Sequence, residues 1–472
     1  PGAVTGQVVF SSDEAETMAA AGQKVILVRK ATTPEDIHGM KAAEGILTSL
    51  GGMTSHAAVV ARGMGKCGIT GCADISVDYK KQEFLTSSQI VVSKGELITL
   101  DGSSGEVMLG DIEKIQAQSD EDFQTILAWA DKYRRLRVRA NAETPEDVRK
   151  ARELGAEGIG LCRTEHMFFE EERIKVIRSM ILAKTEKERE YFLDSLFKFQ
   201  KSDMRKIFEI MDGLPVTIRL IDPPLHEFLP QEDADIQALA KSLHQKEPAL
   251  RKEIANLREA NPMLGFRGCR LSIVYPGITQ MQVKAILSAA VECKQDGIKV
   301  FPEIMIPLVS TAQELKVILS TMEESAKEVF RLMKNSIDYQ FGTMMEVPRA
   351  CVQARTIAPV VRFMSFGTND LTQMTFGFSR DDIGTFLPAY LEQKILAHDP
   401  FVTLDQQGVG HLIRTALKQS RSVNKKLQFG ICGEHGGDPN SIAFFHKTGF
   451  DYVSCSPYRI PIARIAAAQA NL

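Results

Sequence analysis

No Cys-x-x-Cys pair occurs anywhere in the 472 residues. The eight cysteines (67, 72, 162, 269, 293, 351, 432 and 455) are scattered. That argues against a disulfide frame or a cysteine zinc site and for free thiols in a reducing compartment, the cytoplasm. No apolar run approaches the roughly 18 residues a membrane span requires. Charge of one sign is lacking too, since 57 basic and 60 acidic residues leave a formal charge of −3. Without a basic field or a polybasic run, neither nucleic acid nor a membrane surface is an expected partner. A starting methionine and a signal peptide are also missing, because Pro1-Gly2-Ala3-Val4-Thr5-Gly6 opens directly into a strand-like stretch. The expectation is a piece of something longer, or a processed form.

What is present describes a globular chain with ample core, 44% hydrophobic and 25% charged. The length suits two domains, one of them large enough for a barrel. Residues 1–110 read as a compact mixed domain of short strands (25–28, 45–50, 90–92) with a hairpin of 97–100 and 106–109 around Asp101-Gly102-Ser103-Ser104-Gly105. Residues 111–135 are polar and helical, either a linker or the first helix of the next domain. From 136 to 472 short β-rich segments alternate with longer helical stretches. Eight candidate strands stand out, at 136–140, 158–162, 216–221, 301–306, 339–345, 363–366, 427–432 and 452–455. That is the count for a (β/α)8 barrel, its longest insertion lying between the third and fourth strands.

Two places carry chemistry. In Gly51-Gly52-Met53-Thr54-Ser55-His56-Ala57, a Gly-Gly turn follows a buried strand and a small-residue helix begins at about Ser55. The imidazole of His56 then sits at the first turn of a helix, where free N–H groups and the dipole disfavour its protonation and favour a phosphoryl charge placed on it. The second place is the set of strand C-termini, where barrels carry their sites. Arg163, Arg219 and Arg267 offer planar forks for phosphoryl or carboxylate oxygens. Glu346 and Asp370 offer hard oxygen ligands of the kind Mg²⁺ prefers. Gly367-Thr368-Asn369-Asp370 after an apolar strand lets amides approach a ligand closely. Together these residues predict a phosphorylated acid bound with a divalent cation. Cys432 ends the seventh strand beside Gly433 and Glu434, and taken alone a buried cysteine is a small hydrophobe.

These motifs resemble those of the phosphoenolpyruvate-utilising enzymes, and the resemblance runs over essentially the whole chain. Within that family the chain is most similar to the pyruvate, phosphate dikinases. The alternatives are the phosphoenolpyruvate synthases and the sugar phosphotransferase-system enzymes, which typically have Arg where Met53 stands. Asp222-Pro223-Pro224-Leu225-His226 also weighs against them. A non-catalytic remnant would have lost His56, Cys432 or the carboxylates, and all are present.

The resemblance implies a (β/α)8 TIM barrel preceded by a smaller swivelling β/α phosphohistidine domain. It implies that His56 is phosphorylated and that Cys432 moves a proton at C3 of the pyruvate enolate. Arg163, Arg219, Gly367, Thr368 and Asn369 would bind phosphoenolpyruvate or pyruvate, with Arg267 and Asp222 completing the wall. Glu346 and Asp370 would hold Mg²⁺ and part of the substrate. Also implied are a homodimer through the barrel and an absent N-terminal nucleotide-binding domain. In the complete enzyme phospho-His56 would arise from ATP and phosphate, with AMP and pyrophosphate released, so this chain would carry only the pyruvate half-reaction. Some plant members are regulated at the threonine matching Thr54. Finally, Ala470-Asn471-Leu472 is a distant match to a peroxisomal Ser-Lys-Leu signal.

Overall fold

Val25, Ile26, Leu27 and Val28 are all fully buried, and their side chains alternate between two separate cores. A continuous apolar run of this kind belongs to a strand covered on both faces. In the computed structural model the run is the second strand of a six-stranded sheet. The strands are β1 (Ala3–Val9), β2 (Val25–Arg29), β3 (Gly45–Thr48), β4 (Cys67–Ile69), β5 (Ile75–Asp78), β6 (Glu83–Thr86), β7 (Val91–Ser93), β8 (Leu97–Asp101) and β9 (Glu106–Leu109). The large sheet has the order β4-β3-β2-β1-β8-β9, parallel from β1 to β4 and antiparallel through β8 and β9. Ile26, Val28 and Leu47 pack with Ile75, Val77, Phe84 and Val92 of the three-stranded β5-β6-β7 sheet. On the other face Val25, Leu27 and Ile46 meet Ala15 and Met40 from the helices Ser12–Ala20 and Ile37–Ala42. The structure describes every residue except 1, 34, 35, 52–60, 62–65, 103, 114–120, 231, 232, 244 and 381, and the side chains of Glu171 and Ala234.

The chain divides into two compact units, residues 1–120 with 378–397, and residues 121–377 with 398–472. The second begins with the helix Glu121–Tyr133 and continues into eight parallel strands that close on themselves. They are β10 (Arg137–Asn141), β11 (Ile159–Arg163), β12 (Pro215–Arg219), β13 (Phe301–Ile306), β14 (Gln340–Met345), β15 (Phe363–Phe366), β16 (Gln428–Ile431) and β17 (Tyr452–Cys455). The ring is closed by β10 against β17, with Arg137 opposite Tyr452. The eight-stranded barrel expected from the sequence is therefore present. Its longest insertion lies between β12 and β13 and holds the helices Asp233–Ser242, Glu247–Leu257, Cys269–Val274 and Pro276–Gln295. Among the described residues no helix is long and apolar enough to cross a membrane.

Alternate strand residues face opposite sides of the barrel wall. Met364 and Phe366 join the core under the helices, whereas Phe363 joins Leu161, Met305, Met344 and Cys432 in a separate inner cluster. Two glycines make room for inner rings. A Cβ at Gly342 would lie 2.5 Å from the ring of Phe363, and one at Gly430 would lie 1.9 Å from the ring of Tyr452. Tyr452 cannot retreat, because the Arg139 guanidinium covers its ring at 3.9 Å. Gly430→Ala should therefore overpack the interior and cost about 3 kcal/mol, the upper end of the usual range for overpacking. Calorimetry would register this as a melting temperature lowered by several degrees; an unchanged value would mean that the ring can shift.

Candidate active site at the barrel mouth

Except for Arg267, the predicted barrel residues lie at the end of a strand or in the segment that follows it. Arg163 is the last residue of β11 and Arg219 the last of β12, and the two pair across the ladder. Glu346 follows β14 directly, and Gly367 follows β15 and caps the helix Thr368–Phe376. Cys432 follows β16, and its N–H donates to Phe366 O at 3.1 Å. Arg267 comes from the insertion, whose backbone turns at Gly268 with φ +57°. A Cβ there would lie 2.7 Å from that of Leu308, so the turn admits only glycine.

Acids and arginines alternate along one wall of the mouth. Arg219 is ion-paired with Glu165 and, at 2.9 Å, with Asp222. Asp222 also pairs with Arg267, which reaches on to Asp370 at 3.1 Å. Burial alone would push Asp222 up, but Arg219 and Arg267 hold its carboxyl below the ordinary range. Glu346 shows the opposite balance. Burial, then the charges of Asp370 and Asp222, push it well above the usual carboxylate value, against the pull of Arg267 and Arg219. One of its oxygens accepts the Leu308 N–H at 2.6 Å. Arg163 is matched by Glu143 at 2.7 Å. The remaining cluster of Glu165, Asp222, Glu346 and Asp370 around Arg219 and Arg267 has two more acids than arginines. Arg219 Nε and Glu165 Oε2 are buried without a hydrogen-bond partner among the described residues.

Beside these charges, the segments after β15 and β16 contribute backbone and small side chains. Asn369 Oδ1 accepts the Glu434 N–H at 3.0 Å, and the Thr368 hydroxyl lies 2.8 Å from His435 Nδ1. A Cβ at Gly367 would meet a Glu346 oxygen at 2.9 Å, so carboxylate and loop are in close contact. Cys432 is 2% exposed, and burial pushes its thiol up to about 11 despite the neighbouring Arg219 and Arg163. The Asn141 amide donates to the Cys432 carbonyl at 3.1 Å and so fixes the backbone of that residue.

The fold thus brings Arg163, Arg219, Arg267, Asp222, Glu346, Gly367, Thr368, Asn369, Asp370 and Cys432 to one mouth. His56, with Met53 and Thr54, lies outside the described residues. The sequence reading passed over Glu143, Glu165, Asn141 and His435. The signal for Glu143 was available, since Asn141-Ala142-Glu143 ends the first barrel strand as surely as Arg163 ends the second. Among the described residues no group of three or more His, Cys, Asp or Glu side chains is arranged to hold a metal ion by itself.

Two family models match the chain. The PEP-binding domain of PEP-utilising enzymes matches residues 117–472, and their mobile domain matches residues 21–105. The chain is 55% identical over 471 residues to pyruvate, phosphate dikinase 1, chloroplastic, of Arabidopsis thaliana, covering 99% of this chain and 49% of that protein. It is 56% identical over 473 residues to the pyruvate, phosphate dikinase of Rhizobium meliloti (strain 1021), covering 100% of this chain and 53% of the relative. With pyruvate, phosphate dikinase 2 of Zea mays the identity is 54% over 472 residues, or 99% and 53% of the two chains. The chain therefore spans about half the length of the curated relatives it matches. None of these names supports the peroxisome-like reading of Ala470-Asn471-Leu472. With one of the two models covering about three quarters of its residues, the chain belongs to the family of PEP-utilising enzymes.

Proposed function

We propose that the chain carries the phosphoenolpyruvate–pyruvate half of a dikinase reaction, with the barrel mouth binding the three-carbon acid and His56 carrying the phosphoryl group. The observation behind this reading is the mouth itself, where Arg163, Arg219 and Arg267 meet Glu346, Asp370 and a protonated thiol. Guanidinium groups bind phosphoryl and carboxylate oxygens bidentately. The N–H groups at Gly367, Thr368 and Asn369 supply further donors at the start of a helix. The residues also fit a divalent cation, given the excess of acids over arginines and a Glu346 whose charge is penalised in the isolated protein. Glu346 and Asp370 would hold it, and Mg²⁺ is the ion that the family resemblance implies. When bound, such an ion supplies Lewis-acid stabilisation of charge on phosphoryl and enolate oxygens.

In the forward direction a ring nitrogen of His56 forms the new N–P bond as the P–O bond to the enol carbon breaks, and the electron pair stays on the enolate. Arg163 and Arg219 stabilise the charge on the oxygens in flight. Cys432 gives its thiol proton to C3, which makes pyruvate and leaves a thiolate. Residues 1–110 act as the swivelling carrier of His56, 111–135 as its helical linker and 136–472 as the barrel that does this chemistry. Formation of phospho-His56 from ATP and phosphate, with release of AMP and pyrophosphate, falls to a nucleotide-binding domain outside this chain, and the barrel serves as the homodimer contact.

The direct test is proton NMR of pyruvate in D2O with the purified chain and Mg²⁺. Loss of the methyl signal, dependent on both protein and cation, is the expected result. No exchange, together with no cation-dependent binding of phosphoenolpyruvate, would sink the reading.

A further inference from the structure

The segment that follows β16 is laced to the segment that follows β15. Cys432 N–H donates to Phe366 O, Glu434 N–H donates to Asn369 Oδ1, and His435 lies against Thr368. Gly433 permits this approach, because a Cβ there would lie 2.1 Å from Thr368 Oγ1. The His435 ring is fully buried, and its Nε2 lies 2.9 Å from the Pro400 carbonyl oxygen. A carbonyl oxygen only accepts, so Nε2 carries the hydrogen. In the neutral ring Nδ1 is then an acceptor, and the Thr368 hydroxyl must donate to it. Burial lowers the ring's pKa below the ordinary histidine value, which favours the neutral form. Thr368 is itself fully buried, so a phenyl ring in place of His435 would fill the space yet strand both its hydroxyl and the Pro400 carbonyl.

We infer that His435 is a positioning residue for the substrate. By accepting the Thr368 hydroxyl's hydrogen bond it fixes the first turn of the helix Thr368–Phe376, while Glu434 N–H, one residue away, donates to Asn369 Oδ1. The side-chain amide hydrogens of Asn369 and the N–H groups of Gly367 and Thr368 are left as donors for the bound acid. This rests on the reading that the barrel mouth binds phosphoenolpyruvate or pyruvate.

The test measures KM for pyruvate and kcat of cation-dependent methyl exchange in the intact chain, with melting temperature alongside, for His435→Phe, His435→Asn, Thr368→Val and the His435→Phe/Thr368→Val pair. Loss of one buried partner should raise KM about tenfold in His435→Phe, with kcat changed by no more than about threefold. Asn places an acceptor where Nδ1 stands, so His435→Asn should recover most of the KM while leaving Pro400 unpaired. In the Thr368→Val background, His435→Phe should add little to KM, because the two side chains act through one bond. An unchanged KM in His435→Phe alongside a lowered melting temperature would overturn the inference and leave a packing role. If His435→Phe fails to fold, His435→Asn and Thr368→Val decide: equal KM rises in both would overturn it. A wild-type chain that neither exchanges pyruvate protons nor binds phosphoenolpyruvate would overturn the functional reading, and this inference with it.

Discussion

His56→Ala should lose completely the acid-labile gain of one phosphoryl group that the wild-type chain acquires from phosphoenolpyruvate and Mg²⁺, as read by intact-mass spectrometry at neutral to alkaline pH. The sequence around the residue carries the argument. The small residues around it, Gly51-Gly52 before and Ala57-Ala58 after, and the helix expected from the sequence to begin near Ser55 would leave the ring approachable at a position that favours negative charge. Alanine has a high helix propensity, so the substitution removes the proposed nucleophile while suiting the helix the sequence predicts there. Pyruvate exchange should persist in this variant, because the proton-transfer groups belong to the barrel. Residual phosphoryl capture above background would assign the carrier to another residue. Loss of exchange along with capture would mean that the ring serves the barrel chemistry too.

Cys432→Ala should show the complementary defect. Binding of phosphoenolpyruvate, measured by calorimetry with Mg²⁺, should stay within a few-fold of wild type, since the arginines and the Gly367–Asn369 donors are untouched. Methyl exchange should fall by about 10²–10⁴, the usual contribution of a positioned acid–base group. The pH dependence follows from the thiol, which burial pushes up to about 11. Donation to the enolate needs the thiol protonated, so this step should hold steady through neutral pH and decline as pH passes about 11. Abstraction from pyruvate needs the thiolate, so exchange should rise with pH toward the same value. Undiminished exchange in Cys432→Ala would move the proton donor elsewhere.

The strands were legible because each is a short apolar run bounded by glycine, proline or charge. The barrel segments expected at 301–306, 363–366 and 452–455 coincide with Phe301–Ile306, Phe363–Phe366 and Tyr452–Cys455, and the other five differ only at their ends. Gly367-Thr368-Asn369-Asp370 could be read as a ligand segment because it follows such a run without a break. The partners of the arginines could not be read in the same way. Glu165 and Arg219 are 54 residues apart, and Asp370 and Arg267 are 103 apart, so only the order of strands around the barrel brings them together. His435 could be seen at a strand end but not given a task, for a related reason: a histidine among glycines signals a loop, and its buried contact with Thr368 comes from a neighbouring strand end. Residues 378–397 fall between the sixth and seventh barrel strands in sequence, yet they group with the first unit. Nothing in their local pattern signals that excursion.

The rings of Phe363 and Tyr452, seated opposite Gly342 and Gly430, have a consequence for traffic. With the buried Arg139–Glu303 pair they pack the barrel interior next to Cys432, so a ligand has to reach the site from the face where the strands end. On the reading proposed above, phosphoenolpyruvate enters and pyruvate leaves by that same face, so the product has to clear it before the next substrate molecule can load.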